Sequence, residues 1–288
     1  MSNPIRIISA DRRAFTLVEL MVVISIIGLL STIAMTQMAS SRAKAKVAAG
    51  QQFSSSITNL ISDQIVGEWT FDAPAVSGKT ADSSGKGNDG TLVNGPVLGP
   101  GYNGNSGYVL NGSNQYISMA SLPASNFTNT SFTWSAWVKG KTNDTGVNYM
   151  PTIGFGSGSW FRLGFHQVSG IWHFDQILDG THINEVNCGP IASETEWTFL
   201  AATAEYGGNV TCYKNGAAGA TLSYINGVTS GTGFSIGHSL GSAWNEFFQG
   251  TVDDVRLYGS ALTAAAIRKN YLAGRAAHPP MLAAATNP

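Results

Sequence analysis

The sequence predicts a mainly β fold, a sandwich or barrel, carried behind a long N-terminal helix and closed by a short C-terminal one. Three observations predict it. After residue 66, short alternating segments recur with Gly-, Asn- and Ser-rich turns between them, which is the mark of many short strands. Before it, the chain reads as one continuous helix, with no Pro between Pro4 and Pro74. Charged residues are only 11% of the 288, and Gly numbers 34, against a usual ~25% and ~7%. The 7 Trp, 9 Tyr and 13 Phe argue against disorder, because disordered chains are aromatic-poor. A net charge of −1 offers no footprint for a nucleic-acid partner.

The first element is a basic leader, Met1 to Arg13, with Arg6, Arg12 and Arg13. An apolar run from Leu17 to Met35 follows, close to the ~20 residues a helix needs to cross a bilayer. Glu19 interrupts it, and an ionisable residue inside such a span is costly and points to function. Arg42, Lys44 and Lys46 follow the run, so the positive-inside bias does not settle orientation. Phe53, Ile57, Leu60, Ile61 and Ile65 then fall on one helical face, with Gln51, Gln52, Ser54, Ser55 and Asp63 mostly on the other. A helix over 15–66 is roughly 78 Å long. Its first half is apolar all round; its second half needs a globular partner along one stripe.

Ala14-Phe15-Thr16-Leu17-Val18-Glu19 ahead of the apolar run resembles the leader of type IV prepilins and type II secretion pseudopilins. The resemblance covers about residues 6–45. It implies cleavage between Ala14 and Phe15 by a membrane prepilin peptidase, N-methylation of Phe15, and pairing of Glu19 with the N-terminal amine of a neighbouring subunit. A carboxylate in lipid needs such a cation. The family usually has Gly where this chain has Ala14. The implied partners are other pilin subunits, the peptidase and the inner membrane. The implied location is the inner membrane before assembly, then an extracellular or periplasmic filament.

Strand candidates in the head start with Tyr108–Leu110 and Tyr116–Ser118, which flank Asn111-Gly112, a strong hairpin signal. Phe132, Trp134, Ala136 and Val138 alternate with Thr133, Ser135, Trp137 and Lys139. Further candidates are Trp160–His166, Ile171–Leu178, Ile183–Asn187, Trp197–Tyr206, Val210–Lys214, Gly233–Gly237 and Thr251–Tyr258. Thr263 caps a closing helix over Ala264–Leu272, and Gly274 suits its end. The domains are therefore a leader 1–14, a transmembrane and filament helix 15–66, a head 67–272 and a tail 273–288.

Several stretches of the head resemble concanavalin A-like, LamG-type jelly rolls. They are Glu68-Trp69-Thr70-Phe71-Asp72, the loop Asp82 to Leu92, Phe132 to Val138, Val210 to Gly216, and Gly250 to Tyr258 followed by Ala261-Leu262-Thr263. The resemblance implies two antiparallel sheets, frequent bound Ca2+, and a role in binding glycans or surface proteins. The loop Asp82–Gly90, with Asp82 and Asn88, concentrates oxygen donors of the kind Ca2+ takes. The first and last strands of such folds lie together, which implies Asp72 and Asp253 near that loop. The same loop also reads as an Asx-rich turn whose side chains cap backbone groups. Both readings stand at this point.

No catalytic residue is predicted. Glucanases need carboxylates at alternating positions of one strand. Glu194 and Glu196 sit where a turn is expected, and the adjacent Asp253 and Asp254 would face opposite sides of a strand. His166, His173, His182, His238 and His278 form no metal-binding spacing, and Gly154–Gly158 does not fit a nucleophile elbow. Trp160, Trp172 and Trp244 lie near Gly- or Ser-rich turns, where a ring can stack on a sugar or pack in a core. Cys188 and Cys212 are the only cysteines, and both fall in a head expected to meet an oxidising compartment. A bridge between them would stabilise by about 3 kcal/mol. It requires the two strands to be neighbours or to meet at a sheet edge. The alternative is two buried thiols.

Overall fold

The computed structural model describes residues 16–32, 42, 44, 45, 48, 64–102, 105–120, 122, 127, 129–140, 149–157, 159–178, 181–191, 193–224, 233–239 and 246–277. The chain divides into two units, Met1–Ser62 and Asp63–Pro288. In the first, helix α1 spans residues 17–32. Its apolar side chains are exposed on every side, as with Leu17, Met21, Ile24 and Leu29. Among the described residues, no helix is long and apolar enough to cross a membrane. Ala14, Phe15 and the amphipathic stripe from Phe53 to Ile61 lie outside the described residues.

In the second unit the strands are β1 (Ile65–Trp69), β2 (Lys79–Thr80), β3 (Gly90–Val93), β4 (Val97–Pro100), β5 (Ser106–Asn111) and β6 (Tyr116–Met119). Next come β7 (Phe132–Gly140), β8 (Tyr149–Ser157), β9 (Ser159–His166), β10 (Ile171–Leu178) and β11 (Thr181–Pro190). The last are β12 (Thr198–Ala204), β13 (Asn209–Lys214), β14 (Ala217–Ser223), β15 (Phe234–Ile236) and β16 (Gln249–Tyr258), followed by helix α2 (Ala264–Ala277). The first sheet runs β14-β13-β12-β7-β16-β5-β4, with β1 also on β16; the second runs β11-β10-β9-β8-β15-β6-β3-β2. The pairs are antiparallel throughout.

Alternation builds the core. Phe132, Trp134, Ala136 and Val138 of β7 face Phe161, Leu163, Phe165, Trp172 and Phe174 of the second sheet. Phe127 meets Phe132, Trp134 and Phe155 edge-on, with ring centres 5.6, 5.7 and 5.3 Å away. Trp172 is thus a core residue, not a sugar platform. Trp244 and the side chain of Trp160 lie outside the described residues. The outer face of β7 is covered too: Trp137 stacks on Tyr102 at 3.5 Å and meets Tyr271 of α2 at 5.7 Å.

Three local expectations need correction. The helix predicted to Val66 has given way to β1 by Ile65, because residues 65–69 pair with β16 from Tyr258 to Val255. Backbone pairing in a sheet overrides the helical spacing of Ile65. Asn111-Gly112 does not close a hairpin: β5 belongs to the first sheet and β6 to the second. The Asn111 Oδ1 accepts the backbone N–H groups of Ser113, Asn114 and Gln115, and this wider Asx turn carries the chain between sheets. Helix α2 continues past Gly274 to Ala277. A Cβ on Gly274 would stand 2.9 Å from Trp137 Nε1, so this glycine serves close packing and does not end the helix.

Candidate functional site

At the N-terminus, Thr16 and Glu19 close on each other. The Thr16 N–H and hydroxyl donate to Glu19 Oε2 at 2.9 and 2.8 Å, and the Glu19 N–H donates to Thr16 Oγ1 at 3.3 Å. This is a reciprocal capping box. It starts α1 and fixes the Glu19 carboxylate at the helix's first turn.

The four residues expected at a cation divide into two places. Asp82 receives the N–H groups of Glu68, Ser84 and Asn88 at 3.0, 2.9 and 2.9 Å. Burial raises its pKa, but hydrogen bonds from Ser84, Glu68 and Asn88 outweigh that and hold it below its usual value. Asn88 donates through Nδ2 to Val66 O and accepts the Trp69 indole N–H on its backbone oxygen. Both side chains are spent on the backbone that joins β1 to the following loop. The Asp82 carboxylate thus already serves three amide donors.

Asp253 differs. It is 1% exposed and accepts the Tyr102 and Asp254 N–H groups at 2.9 and 2.8 Å. Burial pushes it up to about 7, with Asp254 and Asp72 adding repulsion that the two N–H bonds oppose. A cation beside Asp253 and Asp72 would offset that repulsion. Among the described residues, no three His, Cys, Asp or Glu side chains group closely enough to hold a metal by themselves; backbone oxygens would have to complete the shell. The expected alternation of Asp253 and Asp254 fails here. The register shifts between Asp253 and Arg256, and Asp254 takes φ 49°, a bulge no residue count announces.

Cys188 of β11 and Cys212 of β13 are bridged, with Cα atoms 4.8 Å apart. β11 is the edge of the second sheet, so the bond ties the two sheets together. Gln176 and Asn184 both donate to Ser223 O on β14 at 3.2 and 3.0 Å, closing the same side.

One constellation escaped the sequence reading. On the outer face of the second sheet, buried Arg162 donates to Asp175 through Nε and to Glu246 through Nη1, both at 2.6 Å. His173 Nδ1 lies 2.8 Å from Asp175 Oδ1, and His166 Nδ1 lies 2.9 Å from Glu185 Oε1. The Arg162 guanidinium sits 4.0 Å from the centre of the Tyr149 ring, which stacks on His166 at 4.4 Å. Two carboxylates on one guanidinium hold the segment before β16 onto the sheet. The signal was partly available, because Arg162 and Asp175 stand equal steps from the turn between β9 and β10. Glu246, far along the chain, gave none. His238 lies nearby, stacked on Phe247 at 4.3 Å; burial lowers its pKa, opposed by Glu246. His278 and the side chain of His182 lie outside the described residues.

Comparison with known proteins agrees with this geometry. The family described as the concanavalin A-like lectin/glucanases superfamily matches residues 111–268, and the prokaryotic N-terminal methylation motif matches residues 9–35. A search of curated proteins gives no match. Among solved structures, domain 4 of AbnA, an extracellular arabinanase of family GH43 from Geobacillus stearothermophilus in complex with arabinotriose, superposes with a TM-score of 0.56 at 22% identity, covering 72% of this chain and 97% of that one. A botulinum neurotoxin type C structure, whose cell entry is described as dependent on two ganglioside molecules, superposes with a TM-score of 0.61 at 14% identity, covering 75% of this chain and 53% of that one. The binding domain of botulinum neurotoxin DC in complex with rat synaptotagmin II gives 0.60 at 14% identity, over 74% and 52%. The chain thus spans about half the length of the neurotoxin chains. At these identities the likeness is one of fold.

Proposed function

This chain belongs to the concanavalin A-like lectin/glucanases superfamily, and on that premise we propose that it is a type IV pilin-like subunit that displays its β-sandwich as a binding head on a filament. The observation that carries the reading is the prokaryotic methylation motif at residues 9–35 ahead of a sandwich whose carboxylates cap backbone or clamp loops. In this reading a prepilin peptidase cuts between Ala14 and Phe15 and Phe15 is methylated. The apolar run from Leu17 holds the subunit in the inner membrane. α1, apolar on every side, then buries itself against sister helices in an extracellular or periplasmic filament, where Glu19 meets a neighbour's amine. Intact-mass measurement of the protein from its native host tests this. The expected chain starts at methylated Phe15; a start downstream of Met35 overturns it.

A second reading has the head act as a glycan-binding lectin that the filament only delivers. It is favoured by the arabinotriose and ganglioside named with two of the similar structures. A glycan array separates the two. Ca2+, when bound, would be held by Asp253 with Asp72 and would neutralise the buried carboxylate.

A further inference from the structure

We propose that a groove on the outer face of the first sheet is a binding subsite for one neutral sugar residue. The proposal rests on the glycan-binding reading of the head and gives it a place. The groove is an open depression of about 530 Å³, within the ~300–1,000 Å³ of small-ligand sites.

Strand register builds it. Val109 of β5, Thr251 of β16 and Lys139 of β7 are successive partners across three strands. Their chain neighbours Tyr108, Leu110, Val138 and Val252 point into the core, so this row faces outward. Farther along the same face, Tyr102 and Tyr271 of α2 cover Trp137. The groove is the part of the face beyond that cover. Glu194 and Thr195, from the loop before β12, line it too, with Asn111, Gln249 and the backbone of Leu110 and Gly250. Lys139 Nζ sits 5.4 Å from the centre of the Trp197 ring, which places a half-buried indole beside the groove.

The chemistry selects the ligand class. Lys139 and Glu194 are opposite in sign, so the groove has no net charge with which to favour an anion or a cation. A carboxylate accepts from two adjacent hydroxyls, an ammonium donates, and the Gln249 amide does both. Val109 offers an apolar floor to the C–H face of a sugar ring. An extended peptide would need a free strand edge, but β16 is paired on both sides here, to β5 and to β7.

The test is a glycan array probed with the detergent-solubilised full chain, followed by titration of the best ligand. Glu194→Ala and Lys139→Met are compared with Asn187→Ala, an exposed position on the outer face of the second sheet. Glu194 is exposed on a loop, and a thermal melt of each variant checks that it folds. Expected is a loss of about tenfold or more in affinity for both groove variants, with Asn187→Ala unchanged. If the wild type binds glycans and the groove variants keep their affinity, the subsite is wrong and the lectin reading survives. If the wild type binds no glycan, both fall.

Discussion

At the residue scale, Asp253 shows what burial does to a carboxyl. Its folded value of about 7 lies above the ~3.9 of an exposed aspartate. The native state therefore keeps a proton that the unfolded chain releases. The resulting stability is fully present below pH ~4 and is lost as pH rises through ~7, by at most about 4 kcal/mol. Urea unfolding in EDTA from pH 4 to 8 should show that decline, and Asp253→Asn should flatten it. Added Ca2+ at pH 8 should raise the midpoint of the wild type and leave Asp253→Asn alone. Asp82→Asn should cost about 1–3 kcal/mol with or without the ion, since its loss is felt by backbone donors. Glu19 is legible in sequence as a charge in an apolar run, and its bond to Thr16 is written there too, as the Thr-x-x-Glu spacing of a capping box that the charge alone overshadowed. The capping box holds the carboxylate in place within its own helix, where the proposed neighbouring amine would find it. Thr16→Val should thus lower the yield of sheared filaments, and Glu19→Ala should lower it further while leaving the subunit in the membrane.

At the element scale, Gly274 gives a prediction whose sign decides between two accounts. In an ordinary exposed helix, Gly→Ala stabilises by about 1 kcal/mol. Here the new methyl would press on the Trp137 indole, which Tyr102 and Phe199 already hold. Gly274→Ala should therefore destabilise by about 1–3 kcal/mol, read as a lower thermal midpoint. Period-two alternation made most strands visible, and β10 falls on the residues expected. Sheet membership was not visible, because Asn-Gly between two strands reads the same whether the chain turns back or crosses over. Only the Asx bonds of Asn111 distinguish the two, and they depend on three-dimensional closure. Gly274 misled for a related reason: composition sees a helix breaker, while its use depends on a tryptophan 137 positions earlier in the chain.

At the scale of the whole molecule, the methylation motif at residues 9–35 and the β-sandwich head were legible because each is written in contiguous residues. The clamp of Arg162, Asp175 and Glu246 was not, since Glu246 lies 84 positions from Arg162. The bridge between Cys188 and Cys212, 24 positions apart, has a mechanical consequence. In the proposed filament a subunit would be pulled, and traction through the chain can lengthen only what is free to straighten. The residues between the cysteines include all of β12, which pairs with β7 on one side and β13 on the other. A stretched, oxidised head keeps that stretch as a closed loop. In single-molecule pulling, full extension should fall short of the reduced protein by roughly 80 Å; equal lengths before and after reduction would show that the bridge bears no load.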